Sequence, residues 1–344
     1  MKLLVLTQKI DREDDVLGFF HEWVRALASK FTQVTVICLE RGQADLPANV
    51  KVFSLGKEQA PNRLAYIIQF YKLLWRLEGE YEAVFVHMNQ EYVLLGGWWW
   101  RLRGRTIGLW RNHPNGSGLT RLAVFLANKV FCTSPFSFTA RYKKTTLMPV
   151  GINTDKFKPL NGEIREKNSL LFLSRIAPIK HPEILIEALG LLKAKGIMAK
   201  TYFYGAALPK DQAYFNQLKA RVLELKIEDV VTFHPAIPNY EAPAIYNQHE
   251  IFINLTPSGS LDKTILEAAA CGCLLVITNQ SLAGEIDERL IATSEKVEDV
   301  AQRIEFILNL AAEEKKRLSL ELETYVAQKH SLNSLVDKLA QEIL

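Results

Sequence analysis

The stretch LLFLSRIAPIKHPEILIEAL, residues 170–189, carries the clearest fold signal in this sequence. An apolar run that ends at Ser174 predicts a buried β-strand. A short loop with Arg175 and Lys180 follows, and a helix with apolar residues about every three or four positions begins near Pro182. A strand, a loop and a helix in this order are typical of a parallel sheet whose faces are covered by helices.

The same alternation extends in both directions from this stretch. Further strands are predicted at residues 2–7, 34–39, 83–87, 106–110, 129–132, 200–204, 230–233, 250–255 and 273–278. A polar segment with Gly and Pro, residues 150–169, interrupts the alternation and predicts an interdomain linker. We therefore expect an α/β protein with two doubly wound Rossmann-like domains that face a central cleft, with ligands at the carboxyl ends of the strands.

The composition agrees with two ordinary globular domains. The chain has 344 residues, of which 48% are hydrophobic and 23% charged. It contains no apolar run of the roughly 18 to 20 residues that a membrane helix needs. The start, MKLLVLTQKIDRED, predicts a first strand rather than a secretory signal. Four scattered cysteines favour reduced, buried thiols in a cytoplasmic protein, and the C-x-C pair at 271–273 is weak evidence for a metal.

Charge is divided unevenly along the chain. Residues 1–160 carry 22 basic and 13 acidic side chains, whereas the remainder carries 20 and 25. Between residues 101 and 150 there are nine basic side chains and no acidic one. Such a face either attracts an anionic partner, such as phospholipid head groups or a lipid-linked phosphate, or is an ordinary solvated surface. Nucleic-acid binding is disfavoured because no recognisable binding module is present.

Arg175 and Lys180 form the first candidate site. Two cations at the end of a strand and beside a helix N-terminus can hold a diphosphate, since Arg offers a planar fork and Lys a point charge. The alternative is a pair of solvent-exposed charges in a loop.

The second candidate site is LTPSGSLDKTILEAAACGCLLVITN, residues 255–279. It predicts a helix with Ser260 as N-cap, and Gly259 would let a phosphate or a sugar hydroxyl approach the backbone. Glu267 lies about two turns into this helix among small and apolar residues. Its burial would be costly unless it met donors such as ribose hydroxyls, and the alternative is that it reaches solvent.

Taken together, these stretches resemble glycosyltransferase family 4, the retaining enzymes of the two-domain GT-B architecture. The resemblance runs over nearly the whole chain and is strongest at VGINTDKF (150–157), at R-x4-K (175–180), at YFYG, which ends on Gly205, and at LEAAACG (266–272). It implies a glycosyltransferase that uses a nucleotide-sugar donor. By the same resemblance, Arg175 and Lys180 would stabilise the donor diphosphate, and Glu267 would bind the nucleotide ribose.

Further donor and acceptor contacts are implied by the same resemblance. The segment VTFHPAI, which ends on Ile237, matches the place where family members hold the base by backbone contacts, with Pro235 where a Gly is usual. Gly18 matches a loop against donor phosphate and acceptor, or else belongs to a helix cap. His113 matches a histidine near the transferred sugar, and His87 is similarly placed at a strand end, although a lone His is often structural.

One departure from the family pattern concerns the transferred sugar. Many members have a second glutamate eight positions before the ribose-binding one, where this chain has Gly259. The chain offers Asp262 and Lys263 instead. We expect Lys263 to contact phosphate and Asp262 either to cap the helix or to reach the sugar, unless both are surface charges. The missing glutamate also leaves open an inactive nucleotide-sugar-binding subunit.

The expected chemistry needs neither a metal nor a cofactor. The sequence has no Asp-x-Asp pair placed under a diphosphate and no His/Cys ligand cluster. Charge on the leaving nucleotide would then be stabilised by Arg175, Lys180 and helix N-termini. Retention of the anomeric configuration is implied by the family alone. We recognise no pattern for an epimerase or a phosphorylase.

The predicted domains are an acceptor domain at 1–160, a donor domain at 161–328 and a C-terminal helix, 329–344, that returns to the N-terminal domain, as GT-B chains commonly arrange it. The segment YVLLGGWWWRLRGR, residues 92–105, places three tryptophans beside three arginines. It predicts either contact with an anionic membrane or a helix packed on the sheet. The expected location is the cytoplasm, either free or at the inner face of the membrane, and the expected acceptor is a glycan or a lipid-linked molecule.

Overall fold

A computed structural model describes residues 1–14, 16–59, 62–160, 162 and 165–343. The chain forms two compact units, one from Met1–Gly151 with Leu332–Leu344 and the other from Ile152–Ser331. The divisions therefore fall after Gly151 and after Ser331, whereas the sequence suggested residues 160 and 328.

The first unit contains a seven-stranded parallel sheet with the order β3-β2-β1-β4-β5-β6-β7. Its strands are β1 (Lys2–Ile10), β2 (Gln33–Arg41), β3 (Val50–Ser54), β4 (Ala83–His87), β5 (Thr106–Trp110), β6 (Lys129–Cys132) and β7 (Thr145–Leu147). Its helices include α1 (Gly18–Ala28), α2 (Arg63–Arg76), α3 (Gln90–Leu102) and α4 (Gly118–Leu126). The central strand β1 is buried from Leu3 to Thr7 because helices cover both faces of the sheet.

The second unit contains a five-stranded parallel sheet with the order β10-β9-β8-β11-β12. Its strands are β8 (Glu166–Leu173), β9 (Thr201–Tyr204), β10 (Val231–His234), β11 (His249–Asn254) and β12 (Leu274–Ile277). Its helices are α5 (Pro182–Ala194), α6 (Gln212–Glu224), α7 (Ala242–Gln248), α8 (Lys263–Ala270), α9 (Val297–Leu308) and α10 (Ala312–Lys329). Two parallel sheets with Rossmann-like strand order confirm the predicted α/β class.

The last helix, α11 (Leu332–Ile343), packs on α1 in the first unit. Leu335 and Leu339 lie one helical turn apart, so both face the same core. There they join Phe20 and Trp23 of α1. The amphipathic spacing at the end of the sequence thus buries one face of α11 against the first sheet's helical layer.

Two strands, β3 and β7, were not predicted. Both are short, and their residues are only partly buried or exposed, so neither has the continuous apolar run of a central strand. The expected linker, 150–169, was too long at its end because β8 already begins at Glu166. In the described part of the chain, no helix is both long enough and apolar enough to cross a membrane.

Candidate functional site

The loop between β8 and α5 carries the two cations that the sequence singled out. A short 3-10 turn, Pro178–Lys180, ends on Lys180. His181 then adopts φ of 51°, which turns the chain into α5. The His181 ring lies 2.9 Å from a carboxylate oxygen of Glu183, which fixes the start of the helix. The loop therefore has a defined conformation around Lys180.

Gly205 lets this loop approach the end of β9. A Cβ atom on Gly205 would lie 1.9 Å from the carbonyl oxygen of Ser174, so no other residue fits there without moving the backbone. Arg175 follows Ser174 directly, and its side chain is exposed. Among the residues that the structure describes, Arg175 has no ion-pair partner, which leaves its guanidinium available to an anionic ligand.

Lys180 has a partner that lies 82 residues away in the sequence. Its Nζ atom lies 2.5 Å from Oδ2 of Asp262 and donates to Oγ1 of Thr256 at 3.2 Å. The Lys180 and Asp262 side chains are 15% and 14% exposed, so the pair is largely shielded from solvent. This ion pair connects the β8–α5 loop to the start of α8.

Asp262 is surrounded by hydrogen-bond donors. Its carboxylate accepts from Nδ2 of Asn254 at 3.1 Å and from the hydroxyls of Thr256 and Thr264 at 3.2 and 3.1 Å. Burial of the carboxyl opposes its ionisation, but the charge of Lys180 and these hydrogen bonds outweigh burial and hold the pKa of Asp262 below its usual range. Asp262 is therefore an ionised carboxylate in the folded chain.

The N-cap of α8 is Asp262, which confirms the expectation that Asp262 caps the helix, whereas the prediction of Ser260 was wrong. Oδ1 of Asp262 accepts from the backbone N–H of Thr264 at 3.4 Å, because α8 begins only at Lys263. Ser260 belongs to the preceding loop, where its carbonyl accepts from Nδ2 of the buried Asn279 at 2.8 Å. Both residues are polar and precede the helix, so the sequence alone could not choose between them.

Gly259 occupies a backbone conformation that favours glycine. Its φ is 137°, which side-chain-bearing residues rarely adopt. Asn279 also donates to the carbonyl of Pro257 at 3.3 Å and so holds the loop around Gly259 in place. A glutamate at this position would be strained in the present loop.

Glu267 is buried on α8, with a relative exposure of 2%. Oε1 accepts from Nδ2 of Asn239 at 3.2 Å, and Oε2 accepts from the hydroxyl of Tyr246 at 3.3 Å. Lys263 Nζ lies 3.7 Å from Oε1, one helical turn before. Burial raises the pKa of Glu267, and Lys263 and the hydrogen bonds offset only part of that effect.

The loop that follows β10 meets α8 through Asn239. Pro235 is exposed, and Ile237 is partly buried in the same loop. Sequence reasoning missed Asn239 and Tyr246 as partners of Glu267, since neither belongs to a motif that predicts such a contact. The structure therefore brings together Lys180, Asp262, Lys263 and Glu267, with the loop of Pro235 and Ile237 adjoining them.

Gly18 lies at the start of α1 in the first unit rather than before the helix. Its N–H donates to the carbonyl of Asp14 at 3.0 Å, and a Cβ atom there would lie 3.0 Å from the carbonyl oxygen of Arg12. Oδ1 of Asp14 accepts from the N–H of Leu17 at 2.7 Å. The β1–α1 turn is thus tight at Gly18. Asp15, in the same segment of sequence, lies outside the described residues.

The two N-terminal histidines differ in environment. His113 follows β5 and is exposed, and its Nδ1 lies 3.0 Å from both the backbone nitrogen and the carbonyl oxygen of Asn115. His87 ends β4 inside the core, where its ring stacks on Phe20 with centroids 4.1 Å apart. Burial lowers the pKa of His87 to about 3, so its ring stays neutral at physiological pH.

The four cysteines are buried and free. Within the described ranges, no group of three or more His, Cys, Asp or Glu side chains is arranged to hold a metal ion. The expectation of a metal-independent site stays a prediction.

Residues 153–321 match the family model of glycosyl transferases group 1. A mannosylfructose-phosphate synthase from Agrobacterium fabrum is 26% identical over 148 residues, which are 40% of this chain and 33% of that protein. A D-inositol 3-phosphate glycosyltransferase from an Arthrobacter species is 28% identical over 151 residues, or 41% of this chain and 35% of that protein. The matches thus span about a third of the length of these relatives.

Solved structures match nearly the whole chain. A glycosyltransferase from Rickettsia africae has a TM-score of 0.80 at 16% identity and covers 99% of this chain and 98% of its own. Anabaena HepE in complex with UDP has a TM-score of 0.79 at 17% identity and covers 99% of both chains. At these identities the match establishes the fold, while the family match and the named relatives support a glycosyltransferase. Residues 153–321 are therefore similar to a glycosyl transferases group 1 domain, in a chain that has the GT-B fold.

Proposed function

We propose that this chain is a retaining glycosyltransferase that moves a sugar from a nucleoside-diphosphate sugar to a glycan or glycolipid acceptor without a metal or a cofactor. The observation that carries the proposal is the Lys180–Asp262 pair, which joins the β8–α5 loop to the start of α8. Both segments follow strands, β8 and β11, at their carboxyl ends, and ligands of parallel sheets bind at that edge.

The diphosphate would be bound by Arg175 and Lys180. Asp262 holds the Lys180 ammonium in place, so the cation is oriented before the donor arrives. Arg175 supplies a charge that no described residue neutralises. As the bond to the nucleotide breaks, negative charge grows on the diphosphate, and these fixed cations stabilise it. Lys263, at the start of α8, would contribute a further contact, as would the backbone at Gly259 and Ser260.

The nucleoside would lie between α8 and the loop after β10. Glu267 accepts hydrogen bonds from Asn239 and Tyr246, and a carboxylate with this geometry can also accept from ribose hydroxyls. The base would contact the backbone near Pro235 and Ile237. Gly205 serves this site indirectly, because its close approach to Ser174 positions Arg175.

The N-terminal unit would supply the contacts to the transferred sugar and the acceptor. Nδ1 of His113 lies 3.0 Å from both the backbone N–H nitrogen and the carbonyl oxygen of Asn115, so the Asn115 backbone engages Nδ1 and Nε2 would form the hydrogen bond to a sugar hydroxyl. The tight turn at Gly18 would let donor phosphate or acceptor approach the backbone at the start of α1.

The experiment that tests the function is a transfer assay with a panel of UDP-, GDP- and ADP-sugars. UDP-glucose is tested first, because a solved structure of Anabaena HepE, which has a similar fold, is a complex with UDP-glucose. We expect turnover of one donor, an unchanged rate with EDTA, and a product whose NMR spectrum shows the anomeric configuration of the donor. Inversion, or a rate abolished by EDTA, would contradict the mechanism.

A catalytically impaired subunit that binds nucleotide sugars is the second candidate. It is favoured by Gly259, whose φ of 137° keeps a glutamate from the position where many family members have one. The same panel separates the two candidates. Binding of a nucleotide sugar without hydrolysis or transfer of its sugar would select the impaired subunit.

We also propose that the protein acts in the cytoplasm and contacts the inner face of an anionic membrane. Trp75 at the end of α2 is 81% exposed, and Trp98 and Leu102 on α3 are also exposed. The guanidinium of Arg103 lies 4.6 Å from the Trp99 ring. Exposed aromatic and basic side chains suit a lipid interface. Trp100, by contrast, is buried and donates to Tyr81, so only part of the 92–105 segment is available. Co-sedimentation with anionic vesicles at low salt is expected, and its absence would remove the membrane contact.

A further inference from the structure

A cavity of about 360 Å³ opens between α2 and α3 in the first unit. It is separate from every residue assigned above to the donor or to the transferred sugar. Its lining consists of Leu39, Leu55, Arg63, Tyr66, Ile67, Phe70, Glu91, Tyr92, Leu94 and Leu95. A volume of this size is in the range of small-molecule sites, which begin at roughly 300 Å³.

The cavity lies at the edge of the sheet where ligands of parallel α/β proteins bind. Leu39 is near the end of β2, and Leu55 directly follows β3. Arg63 is the first residue of α2, and Glu91 is the second residue of α3. Both helices start at the carboxyl ends of the strands, so the cavity opens on that edge.

The lining is almost entirely hydrocarbon and aromatic. Phe70 and Tyr92 are buried at its base, and the hydroxyl of Tyr92 donates to the carbonyl of Thr7 at 3.2 Å. The hydroxyl of Tyr71 donates to the carbonyl of Leu95 at 3.1 Å and ties the two helices together. A polar ligand would therefore lose hydrogen bonds to water on entering, whereas a hydrocarbon chain would gain by burial.

The charged groups of the lining are Arg63 and Glu91, and both are exposed. Neither has an ion-pair partner among the described residues. Residues 1–100, which include the whole lining, carry 11 basic and 12 acidic side chains, so Arg63 itself, rather than a general field, supplies the attraction for an anion. Arg63 can bind an anionic oxygen, and Glu91 can accept from hydroxyl groups.

We propose that this cavity binds the hydrocarbon chain of the acceptor and that the acceptor is an amphiphile with an anionic, hydroxyl-bearing head group. The chain lies between α2 and α3, and the head group stays at the opening beside Arg63 and Glu91. This assignment rests on the proposed transfer reaction, because it names the acceptor class of that reaction.

The test is calorimetric titration of the full chain with single-chain alkyl phosphates of increasing length, each below its micelle concentration. Affinity should rise about fourfold for each added methylene and then level off once the cavity is filled. Affinity that does not depend on chain length, or that rises without a limit, would overturn the proposal. So would binding to anionic vesicles without any binding of the monomeric alkyl phosphates.

Two substitutions locate the binding. Leu94→Asp places a charge in the lining, and Ile67→Asp does so on the exposed side of α2, where it should not unfold the protein. Each should weaken the longest bound alkyl phosphate more than tenfold. The matched control is Leu119→Asp, on an exposed turn of α4 outside the cavity, and it should leave the affinity unchanged. Unchanged affinity in Ile67→Asp with an unaltered melting temperature would contradict the site.

The head group is tested with Arg63→Gln. It should weaken alkyl phosphates about twofold to fivefold and leave neutral alkyl glucosides unaffected. Equal loss for both head groups would refute the role of Arg63.

Nucleoside-diphosphate binding in the same samples separates the two proposals. Wild-type protein that binds a nucleoside diphosphate but no alkyl phosphate would overturn the cavity assignment and leave the transfer reaction standing. Alkyl-phosphate binding without any nucleotide binding would contradict both the transfer reaction and the role of the cavity as its acceptor site.

Discussion

The carboxyl-end edges of the two sheets have opposite chemistry. In the second unit this edge carries shielded charges, with Lys180 against Asp262 and Lys263 near Glu267. In the first unit it carries an apolar cavity and the neutral, buried ring of His87. One architecture thus presents a polar edge suited to a charged diphosphate and an apolar edge suited to a hydrocarbon. The side chains at the strand ends, rather than the fold, determine which ligand each edge suits.

The two carboxylates of the polar edge also differ from each other. Asp262 is buried, but Lys180 and several hydrogen bonds outweigh the cost of burial, so the pKa of its carboxyl is lowered. Glu267 is buried with fewer compensating groups, so the pKa of its carboxyl is raised. Asp262 therefore stabilises the fold when ionised, whereas Glu267 destabilises the fold when ionised. Asp262 thus orients the Lys180 ammonium, and the incompletely compensated burial of Glu267 agrees with the ribose contact proposed for it.

The largest expected effect is that of Lys180→Met. It removes a diphosphate contact and leaves Asp262 without its cation, so transfer should fall by about 100-fold to 1,000-fold. The free energy of unfolding should fall by about 3 kcal/mol, since an uncompensated carboxylate remains. Steady-state kinetics and urea unfolding measure the two effects.

The matched control is the double variant Lys180→Met with Asp262→Asn. Asn is also a good N-cap, so the double variant should regain most of the lost stability while transfer stays low. Recovery of transfer together with stability would show that Lys180 acts only on the fold.

The second effect concerns Glu267→Gln. Because the pKa of Glu267 is raised in the folded chain, its ionisation opposes folding as the pH rises above about 4.3, its value in unfolded chains. Removing the charge should raise the stability at pH 7 relative to wild type, with little difference at pH 4. Nucleotide affinity should fall about tenfold to 100-fold, because a charged acceptor for the ribose is lost.

Unfolding curves at pH 4 and pH 7 check the sign of this effect. Asp262→Asn is the opposite case. The pKa of Asp262 is lowered in the folded wild-type chain, so its ionised carboxyl stabilises the fold above about pH 4. This stabilisation is lost as the pH falls. A Glu267→Gln variant that loses stability at pH 7 would contradict the contrast between the two groups.

How far the sequence predicts this molecule depends on how close the relevant residues lie along the chain. The βα unit at 170–189 shows both its strand and its helix within one window, and the structure confirms them as β8 and α5. The Lys180–Asp262 pair joins residues 82 positions apart, so no local pattern contains it. Asn239, which contacts Glu267, lies in an irregular loop and was missed for the same reason.

The edge strands of the first sheet and the N-cap of α8 were also difficult to predict from the sequence. The strands β3 and β7 lie at the two edges of the first sheet. Their residues are only partly buried or exposed, so they lack the apolar run that predicts a central strand. The sequence offered both Ser260 and Asp262 as the N-cap of α8, because a polar loop contains several suitable residues in a row, and the structure selects Asp262.

A smaller effect is expected at the apolar edge. His113→Ala should lower turnover about tenfold and leave the unfolding free energy unchanged, since His113 is exposed and the substitution would remove its proposed hydrogen bond to the sugar. His87→Ala should do the reverse and lower stability by about 2 kcal/mol through the lost stack on Phe20, with turnover per folded molecule retained. Kinetics normalised to the folded fraction checks both variants. A His87→Ala variant with reduced turnover per folded molecule, or a His113→Ala variant with reduced stability, would contradict these roles.

The smallest effect on catalysis is expected from Trp98→Ser. The residue is exposed, so stability should change by less than about 0.5 kcal/mol and turnover with a water-soluble acceptor should not change. Co-sedimentation with anionic vesicles should decrease. The buried Trp100 provides a contrast, since Trp100→Ser should lower the melting temperature instead.

The central claim is that the polar edge of the second unit binds a nucleoside diphosphate through Arg175. The most direct measurement compares the Kd of UDP, GDP and ADP with that of the corresponding monophosphates, in wild-type protein and in Arg175→Gln, by calorimetry. We predict that one diphosphate binds more tightly than its monophosphate and that Arg175→Gln reduces this preference about tenfold, with Lys180 accounting for what remains, while the monophosphate affinity stays the same. Equal affinity for diphosphate and monophosphate in the wild-type protein, or a preference that Arg175→Gln leaves unchanged, would contradict the claim.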